Sequence, residues 1–225
     1  METKITKKVS IVLRPDFINM EVKERILLKA ADLFLRYGVR SVTMDEIAGQ
    51  LGISKKTIYQ FFTDKDEIVE GVIEAKIQDN ECKCDTYLEN SENAVHQVFL
   101  SFGGMEEIGK TMNPLIMYDL EKHHPKTHKK IRGHINGFLY QVVLDNLHRG
   151  INEKLYRPEI NVDITARHRI ESVFMMFNQD AFPHGRYLFT DVARELGLLY
   201  IYSVATPKGV KLIEKYLQQQ TATKK

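Results

Sequence analysis

Between Thr43 and Lys65 the chain reads TMDEIAGQLGISKKTIYQFFTDK, and no other stretch limits its fold as strongly. Thr43 followed three residues later by Glu46 forms a capping box: the hydroxyl accepts from an orphan amide while the carboxylate reaches back. Ile47, Ala48 and Leu51 then share one helical face. Gly52 stops that helix, because glycine takes the left-handed conformation of a C′ residue without steric cost. Ile53 follows in the turn, and Ser54 is an N-cap for the next helix. That helix turns Ile58 and Phe62 inward and carries Lys55, Lys56, Thr57, Tyr59 and Gln60 outward. Asp64 and Glu67 open a third helix with an aspartate version of the same box. Small Ala48, four residues before Gly52, lets the two short helices cross closely. The stretch is a helix-turn-helix.

Upstream, Val22, Ile26, Ala30, Leu33 and Tyr37 recur at steps of three and four, which predicts a helix over 21–37 that Gly38 ends. Taken together, the run resembles the N-terminal DNA-binding domain of the TetR family of bacterial transcriptional repressors. Ala30, Ala31, Phe34 and Gly38 carry the resemblance at the end of the first helix. Thr43, Ile47, Ala48, Gly52, Ser54, Thr57, Tyr59, Phe62 and Lys65 continue it, with gapless spacing over about 45 residues. Phe61 departs from the pattern: it stands where the family usually has Tyr or His, so a polar phosphate contact is not carried over there. The resemblance implies an all-α protein, with an N-terminal three-helix DNA-binding domain followed by a larger helical ligand-binding and dimerisation domain. The expected divisions are a flexible arm over 1–19, the DNA-binding domain over 20–65, an effector-binding and dimerisation domain over 66–220, and a disordered tail over 221–225.

A reader of this kind lays its second helix in the major groove of double-stranded DNA, with N-terminal residues at the base edges. Thr57, Tyr59 and Gln60 are the exposed polar positions. Gln60 suits adenine N6 and N7, a bidentate match, while the resemblance implies phosphate contacts for Thr57 and Tyr59. Lys55 and Lys56 sit at the helix start, one for guanine and one for the backbone. Thr43 and Lys65 lie at helix N-termini, where amides and dipole favour phosphate oxygens. Each lysine alone reads as a solvated face; the constellation is what points to DNA. A pair of such helices on a dimer implies a pseudo-palindromic operator.

Charge alone does not suggest this. The net charge is +2 over 225 residues, and the pI near 8.4 is below the value of about 9 typical of a domain with a strong electrostatic footprint. Cys82 and Cys84 are too few for a structural zinc site and too close in sequence to pair readily, which fits a reducing cytoplasm. The apolar patch from Val9 to Leu13 is too short for a secretion signal, and the run from Leu196 to Ala205 is far short of a membrane span. A cytoplasmic protein with no membrane partner is expected.

Past Asn90 the periodic segments are helical, and no alternating strand pattern appears. After a long helix from Asp64 toward Leu88, helices are expected near 92–103, 106–121, 126–149, 163–181, 187–203 and 207–219. Their breaks fall at Gly103-Gly104, His124-Pro125, Gly150, Pro183-His184-Gly185 and Thr206-Pro207. Two C-terminal helices carry apolar residues over more than one face, including Ile170, Phe174 and Phe177 on one and Val192, Leu196 and Leu199 on the other. Either they form a hairpin buried inside one subunit, or they build the isologous four-helix interface of a homodimer, as the resemblance implies. Phe99, Phe102, Met117, Tyr118 and Phe138 are core candidates by residue type; the resemblance makes them the lining of a pocket for a small-molecule effector of unknown identity.

Other motifs compete with this reading. Gly104 to Thr111, GMEEIGKT, fits the Walker A pattern, and Val142 to Asp145 mimics a Walker B strand, which would make a nucleotide triphosphatase. Glu106 and Glu107 would repel the phosphates that such a cradle needs to hold, and no parallel strands mount it. It is a chance match. His123, His124 and His128 lack the ligand company a metal requires. No metal, no cofactor and no catalytic residue is assigned, and the chain is expected not to be an enzyme.

Overall fold

The computed structural model describes residues 21–113, 115–183 and 185–223. Helices account for nearly all of its regular structure; the β pairing consists of isolated bridges, one joining Tyr156 to Ala205 and one at Tyr187. The first helix, α1 (Val22–Tyr37), buries Ile26, Ala30, Leu33 and Phe34 along one face. Tyr37, expected on that face, is instead exposed: the chain has begun to leave the helix, and the Gly38 amide, at φ +82°, already closes back onto the Phe34 carbonyl.

The next two helices, α2 (Met44–Leu51) and α3 (Lys55–Tyr59), follow their local chemistry. The Thr43 and Glu46 box closes from both sides, with Glu46 N donating to Thr43 Oγ1 at 3.2 Å and Thr43 N donating to Glu46 Oε2 at 2.7 Å. Gly52 lies at φ +66°, ψ +29°. Its amide reaches Gly49 O at 3.2 Å and the Ile53 amide reaches Ala48 O at 3.1 Å, the paired bonds of a Schellman end. Thr57 N donates to Ser54 Oγ at 3.0 Å. Asp64 caps the fourth helix, α4 (Lys65–Asn90), by accepting from Glu67 N. The Glu67 carboxylate does not return to Asp64. It accepts from the amide and hydroxyl of Thr63, one residue further back, so the second box is offset by one.

Ile47, Ala48, Ile58 and Phe62 join α1 in a first core that also takes Ile68, Val69 and Val72 from the start of α4. At about 1.5 Å per residue the 26 residues of α4 reach about 39 Å, so the same helix that completes this core runs on along the rest of the molecule.

Beyond it come α5 (Ala94–Thr111), α6 (Ile116–His123), α7 (Pro125–His134), a π-helical turn (Ile135–Leu139), α8 (Tyr140–Asn152), α9 (Val162–Met175), α10 (Phe189–Val204) and α11 (Pro207–Thr223). A second core gathers Val95, Phe99, Leu147, Tyr156, Ile201 and Ile213, and a third cluster centres on Met176, Phe189, Val192 and Ala193. Several boundaries differ from expectation. Gly103-Gly104 does not break α5, since each glycine costs a helix only about 1 kcal/mol and Gly104 is where Tyr87 packs: a Cβ there would stand 2.3 Å from Tyr87 Oη. The break falls instead beside Asn113. The segment expected as one helix over 126–149 is interrupted by the π turn, and the helix expected to reach 181 ends at Met175. At the C-terminus α11 continues through 221–223, part of the expected tail, while 224–225 and the expected arm over 1–19 lie outside the described residues.

Among the described residues no helix is long and apolar enough to cross a membrane.

Candidate nucleic-acid interface

Four residues of α3 and its end carry the outward chemistry. Lys55, Lys56, Tyr59 and Gln60 are exposed, while Ile58 behind them has no accessible surface and anchors the helix in the first core. Thr57 is half-buried, its hydroxyl 2.8 Å from that of Ser54, so it supports the cap of α3 from within the turn. Lys55 is not free: its Nζ lies 2.9 Å from Asp45 Oδ2 on α2, and that hydrogen bond raises the lysine pKa. The pair bridges the two helices across their turn. Lys56, beside it, has no such tether among the described residues and presents its charge to solvent.

Thr43 and Lys65 are spent differently from expectation. The Thr43 hydroxyl donates to Glu46 Oε2 at 3.0 Å while accepting from the Glu46 amide. Lys65 is half-buried, its Nζ 2.6 Å from the Val39 carbonyl and 5.9 Å from the centre of the Phe34 ring. Burial lowers its pKa, with Asp119 the first of the charges that oppose the shift. Lys65 therefore holds the turn between α1 and α2.

Sequence reading missed its counterpart. Asp119, on α6, accepts from the Arg40 amide at 3.1 Å, and the Asn113 amide donates to Leu35 O at 2.6 Å. Ile116 and Leu120 complete the docking by entering the first core. Contacts across 79 residues leave no local signal; only the apolar spacing of Ile116 and Leu120 hints that α6 has a partner.

The expected effector lining is not brought together. Phe99 is buried in the second core, Met117 packs against the first, Tyr118 is exposed, and Phe138 stacks on His134 at 5.3 Å. Only Phe102 faces a cavity of about 260 Å³ between α5, α9, α10 and α11, whose wall also includes Met105, Arg169, Met176 and Leu198. The signal available in the sequence is the wide apolar surface of α9 and α10, which suits an interface as well as a cavity. Of the residues expected at an interface, Ile170 and Val192 are buried within the subunit, Phe177 packs on Phe189, and Phe174 lies under the Arg132 guanidinium at 3.7 Å. Leu196 is half-buried against the third cluster, and Leu199 alone stands out at 66% exposed. These helices spend most of their apolar width inside the subunit.

The Walker-like segment is the C-terminal half of α5, with Lys110 paired to Glu106 at 3.3 Å on the helix surface. Amides engaged within a helix cannot converge on a phosphate. The histidines are apart in role: His124 Nδ1 sits 2.9 Å from Asp66 Oδ1, off the line of a hydrogen bond. Among the described residues no cluster fit for a metal appears.

Residues 26–72 match the family described as bacterial regulatory proteins, tetR family. That stretch, from α1 into the first turns of α4, is similar to the DNA-binding domain of that family. In sequence it is 30% identical over 102 residues to an uncharacterised helix-turn-helix transcriptional regulator of Bacillus subtilis, YvaF, an alignment covering 45% of this chain and 53% of the relative. A second B. subtilis regulator, YhgD, is 30% identical over 74 residues, 33% of this chain and 39% of its own. The chain thus spans about half or less of the length of the curated relatives it matches. The fold extends further. A TetR-family regulator from Marinobacter aquaeolei superposes with a TM-score of 0.64 at 20% identity, covering 88% of this chain and 99% of that one. A transcriptional regulator from Saccharomonospora viridis, solved with choline, gives 0.65 at 17% identity over 82% and 97%. At such identities the likeness is one of fold, and it extends well beyond residues 26–72.

Proposed function

We propose that the protein is a homodimeric transcriptional repressor that a small-molecule effector releases from a pseudo-palindromic operator. The observation that carries the reading is the division of labour on α3: Ile58 and the following Phe62 are buried in the core, while Lys56, Tyr59 and Gln60 are exposed together. In the major groove Gln60 pairs with adenine, Lys56 and Tyr59 meet phosphates, and Lys55 holds α3 against α2. Thr57, Thr43 and Lys65 serve DNA binding by fixing the geometry of the turns, with backbone amides at the helix starts left to meet phosphate oxygens. In domain terms, the DNA-reading unit takes the first turns of α4, and the remainder senses and dimerises.

The dimer is formed by the outward faces of α9 and α10. Ile164 and Met175 on one, and Leu199 and Tyr202 on the other, are the large apolar residues left exposed there, a self-complementary patch suited to a two-fold axis. For release, the effector occupies the cavity. Its α5 wall, with Phe102 and Met105, runs directly to Asn113 and α6, which are docked on the DNA-binding core. A ligand acts there only by preferring a dimer geometry in which the two reading helices no longer match one DNA turn.

The test is binding of the purified protein to the DNA upstream of its own gene, titrated across salt against a scrambled duplex. Tight binding that survives the competitor is expected. Lys56→Ala should flatten the slope of log affinity against log salt by about 1.8, about 0.9 for each protomer, because the dimer neutralises two fewer phosphates. Equal loss on both duplexes, with no effect of Lys56→Ala, would overturn the operator reading.

A further inference from the structure

Arg169 projects from α9 into the wall of the 260 Å³ cavity. Among the described residues its one hydrogen-bond partner is Ser172 Oγ, a long 3.4 Å from Nη1. The guanidinium lies 5.1 Å from the centre of the Tyr200 ring. Ser172 and Tyr200 are both almost fully buried, and the Tyr200 hydroxyl has no hydrogen-bond partner among the described residues. No carboxylate among the described residues forms an ion pair with Arg169. Glu106, on the opposite wall, is engaged by Lys110, and Asp191 is exposed in the first turn of α10, where the helix dipole favours it.

A guanidinium brings five donors and stays charged in proteins. Taking it out of water without an anion is costly, and desolvation accordingly lowers its pKa here. A part-buried guanidinium with no carboxylate partner among the described residues, at the wall of a hollow, leaves a place for an anion. Apart from the charged Glu106, Asp191 and Arg194, the wall includes Phe102, Met105, Met176 and Leu198, surfaces that gain only by covering hydrocarbon. At about 30 Å³ per water-sized group, 260 Å³ accommodates roughly nine such groups.

We propose that the effector is an amphiphile of this size with a single anionic head, the head paired with Arg169 and the hydrocarbon lying against Phe102, Met105, Met176 and Leu198. The assignment rests on the effector reading above and narrows it to a chemical class. The Tyr200 ring lies beside the guanidinium and Ser172 meets one nitrogen at 3.4 Å, which leaves the other donors of the fork for a two-oxygen acceptor.

Isothermal titration calorimetry with octanoate, octyl phosphate, 1-octanol and octylamine tests it, since the four share a tail and differ only in the head. The anions should bind at least tenfold more tightly than the alcohol, and the amine no better than the alcohol; which anion is tighter separates a carboxylic from a phosphate effector. Arg169→Met should abolish the preference for anions while keeping alcohol binding. It should also fold at least as stably as the parent, because an apolar side chain replaces a desolvated charge. Arg167→Gln, on the solvent side of the same helix, should keep the preference. Anion and alcohol binding equally, an anion preference that survives Arg169→Met, or no binding by any of the four would each overturn the proposal. Anions that bind through Arg169 yet leave operator affinity unchanged would uphold it and sink the release mechanism instead.

Discussion

The turn between α1 and α2 is clamped from two sides, and a double-mutant cycle on the clamps tests whether they act as one joint. Lys65 Nζ donates to Val39 O at 2.6 Å from α4, and Asp119 Oδ2 accepts from Arg40 N at 3.1 Å from α6. Val39 is almost completely buried, so its carbonyl has little water to fall back on. A hydrogen bond to a charged group is worth about 1.5–3 kcal/mol. In Lys65→Met the stem still packs by Phe34 and the desolvation of the ammonium is relieved, which offsets part of that, leaving a net loss of about 1–2 kcal/mol. Asp119→Asn keeps an acceptor oxygen and loses only the charge assistance, about 1 kcal/mol by the same principle. Asp119 opposes the burial of the Lys65 charge, so removing either partner strips support from the other. The double variant should therefore lose less than the sum of the singles, by about 0.5–1 kcal/mol. Urea unfolding at one fixed protein concentration reads this from the midpoints, provided the slopes agree. Since the turn leads into the Thr43 cap, operator affinity should fall in the same order. Strict additivity, or a Lys65→Met midpoint equal to the parent's, would refute the shared joint.

Two further outcomes follow from buried titratable groups. His134 bonds Asn80 through Nε2 at 3.1 Å and stacks on Phe138; burial lowers its pKa from 6.5, with Glu81 pulling the other way. The unfolded chain then takes up the proton at higher pH than the folded one, so stability present above 6.5 is lost as pH falls through 6.5 toward the folded value. Between about pH 7.5 and about pH 5.5 the melting temperature should fall more in the parent than in His134→Gln, and equal falls would contradict the assignment. Burial also pushes the Cys84 thiol up to about 11, whereas Cys82 is exposed. Iodoacetamide at about pH 8 should label Cys82 alone, as read by peptide mass; rapid labelling of Cys84 would show that α4 opens there.

Much of the N-terminal unit is legible in the sequence because its signals are local. A cap, a left-handed glycine and a serine three residues before the amide it accepts from each act within one turn of chain, and the Thr43 box, the Gly52 stop and the Ser54 cap stand as the letters imply. Where the reading fails, the competing influence comes from far away. Lys65 has the spacing of a phosphate ligand, yet the Val39 carbonyl, 26 residues back, takes its proton donor. Lys55 has the spacing of a free cation, yet α2 offers it Asp45. Gly103-Gly104 has the letters of a break, yet Tyr87 from α4 fills the space above Gly104 and keeps α5 continuous.

The larger half shows why helix positions are easier to read than the residues of a site. Periodicity tells which residues of a helix face inward, but not which neighbour they meet: Phe99, Phe102 and Met117 all have helical spacing, and they end in the second core, the cavity wall and the first core respectively. Composition misleads in the same way on α9 and α10, whose apolar width is divided between intrasubunit clusters, a cavity and an exposed remainder. Arg169 is invisible for the opposite reason. In sequence it is one more charge in the run Arg167-His168-Arg169, and its neighbour two residues earlier forms an ordinary surface ion pair with Asp163. A rotation of about 200° along the helix separates them, and it turns one arginine to water and the other into the molecule. The chain is thus written at two ranges: the helix-turn-helix within a turn of sequence, the proposed sensor in the packing of four helices around Arg169.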